Sequence, residues 1–214
     1  MWLLFAFASA FFAGLTAILA KCGIRKCDSD VATAIRTIVV LLFSCLMATI
    51  TAQEGALFQI GVKSWTFLIL SGLATGASWL CYFHALQLGD INKVVPIDKS
   101  STVLTMVLAL VFLGEGITTL ALAAIVLIGV GTIMMVERRE STGQSSSASW
   151  LVYALLSALF ASLTSILGKV GIEGVDSNLG TTIRTAVVLV MAWLIVIIKK
   201  KGAQVRRIEK KELG

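Results

Sequence analysis

The chain has 214 residues, of which 57% are hydrophobic and only 14% charged, with a mean hydropathy of +0.94. A water-soluble domain carries about a quarter of its residues as charges, so this composition excludes one and implies an integral membrane protein solvated by lipid. The formal charge of +6 collects at the ends of apolar segments and in the C-terminal tail. That pattern reads as membrane orientation and not as nucleic-acid binding.

Seven apolar segments follow in chain order, at about 2–20, 31–50, 65–87, 94–113, 117–136, 149–168 and 179–198. Each is near the ~20 residues that a spanning helix needs. The predicted fold class is all-α, a polytopic bundle of membrane helices. The first segment lacks the basic start of a signal peptide and recurs later in the chain, so it is read as a helix of the mature protein. It carries small residues at every fourth position, Ala6, Ala10 and Gly14. In lipid, such residues let helix backbones approach closely.

The second segment places Arg36 about one turn inside, between Thr33 and Thr37. An arginine at the centre of a membrane helix costs ~2.5–3.5 kcal/mol on insertion scales. Either its long side chain snorkels to the headgroups or it has a role inside. The third segment contains Gly72 and Gly76 and ends in SWLCYFHALQLGD (78–90). There Trp79, Tyr82 and the single histidine, His84, either line a cavity or form an interfacial aromatic belt.

The fourth segment opens with KVVPIDKSSTVLT (93–105), which holds the only proline, Pro96. Asp98, Ser101, Thr102 and Thr105 fall at i, i+3, i+4 and i+7, a polar stripe on one helix face, with Lys99 beside it. A carboxylate heading such a stripe points to a water-lined cavity or a proton acceptor. The plainer alternative is an acid favoured by the helix dipole at an N-terminus. Arg36 and Lys99 are the candidate partners of Asp98. The fifth segment carries Gly129 and Gly131, and a linker of loop composition follows at 137–148.

The last two segments repeat the first two. Residues 149–214 align with 1–66 without a gap through forty positions, roughly half of them identical. LTAILAKCGI (15–24) returns as LTSILGKVGI (163–172), and DSDVATAIRTIVVL (28–41) as DSNLGTTIRTAVVL (176–189). Arg184, with Thr181 and Thr185, is thus the copy of Arg36. Five segments precede the second copy, so it enters the membrane in the opposite sense, as an inverted repeat. The expected organisation is a complete five-helix repeat at 1–136, a linker at 137–148, and the first two helices of an inverted second repeat at 149–214. By the same alignment Gly214 stands opposite Thr66. On this reading counterparts of the third, fourth and fifth segments are absent from the second copy, and the chain is expected to be a truncated product, a gene fragment or one part of a split transporter.

Lys21, Arg25, Lys26, Lys93, Arg138, Arg139 and the tail lysines and arginines from Lys199 to Lys211 lie on one side of the membrane. Only Lys63 and Lys169 lie on the other. The basic side belongs in the cytoplasm, which puts the N-terminus outside. Cys22, Cys27, Cys45 and Cys81 form no Cys-x-x-Cys pair, so neither a metal site nor a disulfide framework is implied. No hydrolase, zinc-protease, phosphate-loop or dinucleotide motif occurs in a supporting context. The chain is therefore expected to be neither an enzyme nor a holder of cofactors.

Residues 77–136 resemble the EamA domain of the drug/metabolite transporter superfamily. The matching features are Ala85 after the aromatics, Pro96 early in the fourth segment, the turn Leu113-Gly114-Glu115, and the glycine pair Gly129 and Gly131. The resemblance implies ten helices in two inverted halves and export or exchange of small metabolites, often amino acids or amphiphiles. It also implies a central cavity lined by the first four helices of each half, and a cytoplasmic N-terminus, opposite to the charge count.

The expected function is a bacterial inner-membrane carrier of amino-acid-like or amphiphilic solutes, working by alternating access. The expected substrate-binding residues are Trp79, Tyr82, Asp98, Lys99, Ser101, Thr102 and Thr105, with Arg36 as a secondary candidate. The expected partners are the lipid bilayer, the small-molecule solute, and a second copy or separate chain supplying the missing helices. The alternative is an inactive fragment or a membrane interaction subunit, distinguished by whether a sequence like SGLATG…SWLCYF continues after Gly214.

Overall fold

A computed structural model describes residues 2–24, 29–51, 57, 60–114, 118–135 and 149–199. Its α-helices are α1 Trp2–Ile24, α2 Ser29–Thr51, α3 Val62–Leu88, α4 Ile91–Lys99, α5 Ser101–Leu113, α6 Thr119–Met135, α7 Ser149–Gly171 and α8 Ser177–Ile198. The protein is an all-α polytopic membrane bundle. Five helical runs are long and apolar enough to span a bilayer: Ser29–Thr51, Val62–Leu88, Ile91–Phe112, Ser149–Gly171 and Ser177–Ile198. Leu3–Leu19 and Thr119–Thr132 are shorter apolar helices. Every predicted segment is helical. The linker 137–148, the tail from residue 200, Arg25, Lys26, Cys27 and Glu115 lie outside the described residues, as do the side chains of Lys21 and Cys22.

The fourth segment differs from expectation in one respect. It begins at Ile91 and is interrupted at Ser100, which separates α4 from α5. Pro96 has no N–H to give to the carbonyl four residues back. One turn later the Ser100 N–H is shared between the carbonyls of Pro96 at 3.0 Å and Ile97 at 3.2 Å. The Ser100 hydroxyl donates to the Ile97 carbonyl at 2.6 Å. Serine bonding back to its own helix competes with the regular ladder and bends it. α5 then ends at Gly114, whose φ of 64° is the left-handed conformation that glycine adopts without strain.

α3 is the central helix. α7 lies along it, and α8 lies along both α2 and α3. Small residues make these approaches possible. A methyl added to Gly72 would fall 2.8 Å from Val187 Cβ and 2.9 Å from the Arg184 carbonyl oxygen, and one added to Gly76 would collide with the Met191 side chain. Gly171 gives the same room to Leu68 across the α7–α3 contact.

α2 and α8 run antiparallel, each start meeting the other's end. At one end Lys199 Nζ donates to Asp30 Oδ2 at 2.9 Å. At the other, Asn178 Nδ2 donates to Thr51 Oγ1 at 2.9 Å. Val31 and Ala34 of α2 close on Ala192 and Val196 of α8 beside the ion pair. Asp176 caps α8, its side chain accepting from the N–H groups of Asn178 and Leu179 at 2.9 and 3.0 Å.

The repeated small-residue face is packed in one copy only. Ala154, Ala158 and Ser162 of α7 are buried. Ala6, Ala10 and Gly14 of α1 are exposed, and a Cβ on Gly14 would meet nothing within 4 Å. A Cβ on Gly129 or Gly131 in α6 would likewise meet nothing within 4 Å. Among the described residues the expectation that these positions mark close helix contacts is not met there: α1 has only slight contacts with α2, α3 and α4, and no described helix is seated on its small-residue face.

Candidate functional site

Ser71, Thr75 and Ser78 fall at i, i+4 and i+7 on α3, so they form one stripe. α7 presents Thr164 and Ser157 to it, seven residues apart in the reverse direction. The Ser71 hydroxyl donates to the Thr164 carbonyl at 2.9 Å, and the Thr75 and Thr164 hydroxyls meet at 3.3 Å. The Ser78 hydroxyl donates to the Ser157 carbonyl at 3.1 Å. The seam ends on α4, where the Ser157 hydroxyl donates to Asp98 Oδ1 at 2.6 Å. Hydrogen bonds of this kind hold membrane helices together because the alternative partner is hydrocarbon. They also leave a carboxylate at the inner face of the bundle.

Two guanidinium groups reach the same helix. Arg184 comes from α8, and its Nη2 donates to Thr75 Oγ1 at 3.3 Å. Its Nε is buried without a hydrogen-bond partner among the described residues. Room for the group comes from Gly168, where a methyl would stand 3.2 Å from Arg184 Nη1. Arg36 comes from α2, and its Cζ lies 4.5 Å from the centre of the Trp79 ring and 5.4 Å from that of Phe83. A cation over aromatic faces is attracted by their quadrupoles. Arg36 is therefore turned inward onto rings and does not snorkel. Tyr82 stands close enough to feel the charges of both Asp98 and Arg36, and its ring meets Phe83 edge-on at 5.5 Å.

Of the residues singled out from sequence, Arg36, Trp79, Tyr82 and Asp98 are brought together. Trp79 and Tyr82 pack against a buried cluster of Phe83, Ala85, Leu86, Val94 and Ala154, inside the bundle. His84 stacks edge-on against Tyr153 at 4.4 Å. Asp98 is bonded by Ser157 and lies 3.7 Å from Lys99 Nζ, whose side chain is otherwise 60% exposed. Arg36 turns to the rings instead, so the Lys99 contact is the one that forms.

The rest of the stripe is not gathered there. The bend at Ser100 divides it: Thr102 is exposed, and the Thr105 hydroxyl donates back to the Ser101 carbonyl at 2.8 Å. Thr105 borders a separate apolar cavity of about 280 Å³ between α5, α6 and α7, with Met106, Ile125, Ser165 and Lys169. Ser71, Thr75, Ser78, Ser157 and Thr164 were not among the expected site residues, and neither was Arg184. Two signals pointed to them: the hydroxyl spacing on the third segment, and the recurrence of Ser9 as Ser157 and of Arg36 as Arg184.

Residues 1–137 match the family model described as EamA-like transporter family. A curated relative from Sinorhizobium sp, described as an uncharacterized transporter in the cobO 3′ region, is 44% identical over 137 residues, which is 63% of this chain and 95% of the relative. No solved structure matches. Arg36, Trp79, Tyr82 and Asp98 lie within the matched region, whereas Ser157 and Arg184 lie beyond it.

Proposed function

Because the chain belongs to the EamA-like transporter family, we propose that it carries small amino-acid-like or amphiphilic metabolites by alternating access of two inverted halves, α7 and α8 being the start of the second. The observation that carries this reading is the pairing of α2 with α8. Asn178 is the sequence counterpart of Asp30, and Lys199 is that of Thr51. The contacts Lys199–Asp30 and Asn178–Thr51 are therefore one contact repeated about a two-fold axis in the membrane plane, the symmetry on which inverted-repeat carriers rock. Arg36, Trp79, Tyr82 and Asp98 line the solute path from the first half, and Ser157 and Arg184 from the second. The basic face, which includes the Lys199 end, sits in the cytoplasm of a bacterial inner membrane.

The bare face of α1 favours an assembly over an isolated chain. The match with this chain covers 95% of the Sinorhizobium relative over 137 residues, the length of a single five-helix unit, which supports a unit that works in pairs. A second copy, or a separate chain, completes the cavity wall. Solute counterflow in liposomes tests the carrier reading. The assembled protein is expected to exchange solute, and Asp98→Asn to abolish flux while expression stays near normal. Normal flux with Asp98→Asn would return Asp98 to a purely structural bond with Ser157. Robust flux by a strictly monomeric chain would overturn the assembly. A cysteine placed at 142–147, in a background free of native cysteines, tests the orientation. It should resist impermeant thiol reagents in intact cells.

A further inference from the structure

Thr75, Trp79 and Phe83 follow one another at i, i+4 and i+8, so they lie on one face of α3. Arg184 touches the first, and Arg36 lies over the other two. Residues one turn apart are separated by ~6 Å along a helix axis. Two guanidinium groups from opposite sides of the α2–α8 pair thus stand at neighbouring levels on the same face, inside a membrane. Arginine keeps its charge in such surroundings, and an uncompensated cation in hydrocarbon is costly.

The protein itself supplies little compensation. Among the described residues neither arginine forms an ion pair. Asp98 is held by Ser157 and Lys99. Arg184 has one hydrogen bond, at 3.3 Å, and a buried Nε with no acceptor. Arg36 makes no hydrogen bond among the described residues and rests on rings, an arrangement that leaves the N–H edge of the guanidinium free. A group that only joined helices would have its donors satisfied, as Ser71, Thr75 and Ser78 do.

From this geometry we propose that Arg36 and Arg184 form a station for the carboxylate of an organic monoanion, whose apolar or aromatic body lies against Trp79. The planar guanidinium fork matches a carboxylate in two parallel bonds. The station rests on the reading of this cluster as part of a solute path, and it narrows the solute class to aromatic or aliphatic monocarboxylates.

The test uses the whole chain in lipid nanodiscs and three probes with one body: phenylacetate, its neutral amide phenylacetamide, and the cation phenethylamine. Radiolabelled phenylacetate is expected to bind saturably, with the amide and the amine each competing at least tenfold more weakly than unlabelled acid. Arg36→Gln and Arg184→Gln are each expected to weaken binding at least tenfold. If the glutamine variant at 184 is not monodisperse, Arg184→Lys serves in its place. It keeps the charge without the fork and is expected to lose about tenfold. An amide that competes as well as the acid overturns the proposal, as does absence of saturable binding or unchanged affinity in folded variants. Flux measured with the same protein batches reconstituted in liposomes separates the two readings. Carboxylate-selective binding without flux would remove the carrier and keep the station, whereas flux without that selectivity would remove the station and keep the carrier.

Discussion

α7 buries Ala154, Ser157, Ala158 and Ser162, whereas the counterparts of these residues on α1, Ala6, Ser9, Ala10 and Gly14, are exposed. Phe5, Phe7, Phe11 and Phe12 of α1 are each more than 60% exposed as well. The two helices share much of their sequence, so helix propensity and hydropathy cannot account for the contrast. The difference is the neighbour. α3 lies along α7 with Ser71, Thr75 and Ser78 facing it, and no counterpart of α3 lies beside α1 among the described residues. In lipid a small-residue face is a capacity for close contact, and a partner of matching shape and polarity turns that capacity into stability.

The largest expected effect sharpens this contrast with one substitution at two glycines. At Gly72 a side chain would press on the Arg184 carbonyl and Val187, neither of which can swing away, since one is backbone and the other stiff at Cβ. Gly72→Leu is expected to cost about 3 kcal/mol, the upper part of the overpacking range. Gly14→Leu meets open space and is expected to change stability by less than about 0.5 kcal/mol. Detergent unfolding curves of the two variants decide it. If α1 is covered by a second copy in the bilayer, Gly14→Leu acts instead on self-association, read as loss of energy transfer between labelled chains. Equal unfolding effects would break the comparison.

The next effect concerns the polar atoms of the same two faces. Ser157→Ala removes the 2.6 Å donor from Asp98 and leaves a carboxylate oxygen without it. A bond to a charged group is worth about 1.5–3 kcal/mol, and a loss in that range is expected. Ser9→Ala, the counterpart on the exposed helix, is expected to be neutral. Unfolding midpoints measured side by side check both values.

At the ends of α2 and α8 the contrast is one of charge. Lys199→Ala removes the ion pair with Asp30, whose side chain is 9% exposed. Breaking a fully buried pair costs ~3–5 kcal/mol. Lys199 is about half exposed and water screens it, so about 1–2 kcal/mol is expected here. The loss should fall when salt is raised from 0.05 to 0.5 M (roughly a threefold shorter screening length). A salt-independent loss would mean that packing of the lysine stem, not its charge, holds this end.

The seven apolar helices were legible because a bilayer demands long apolar runs, and hydropathy reads them without knowledge of packing. The inner placement of Trp79, Tyr82 and Asp98 was legible in part, through Pro96 and a polar run too long for a cap. Which hydroxyls would meet was not. Ser157 reaches Asp98 only because α7 lies along α3 and crosses α4, and that arrangement depends on pairing between distant segments. The division of the 98–105 stripe was hidden for a related reason. Regular helical spacing places Asp98 and Thr105 on one face, and only the shared Ser100 bond separates them. The repeat showed that α1 and α7 are alike, but no local signal in either copy says which of them finds a neighbour.

The smallest expected effect tests whether the two ends of the α2–α8 pair are alike in energy as they are in position. Thr51 accepts from Asn178 Nδ2 at 2.9 Å, and its hydroxyl stands 3.4 Å from Asp176 Oδ1. Both contacts are neutral on at least one side and lie at exposed positions. Water replaces them readily when they are lost, and a net hydrogen bond there is worth about 0.5 kcal/mol, the low end of the usual range. Thr51→Val keeps the shape of the side chain, so its effect isolates the hydroxyl. A loss near 0.5 kcal/mol, unmoved by salt, is expected in the same unfolding assay, against the larger salt-sensitive loss for Lys199→Ala. The two ends of the helix pair would then differ in strength, with the charged contact the firmer, so the neutral end is where the pair parts first. Equal losses at both ends would remove that asymmetry and leave a helix pair with no preferred end at which to open.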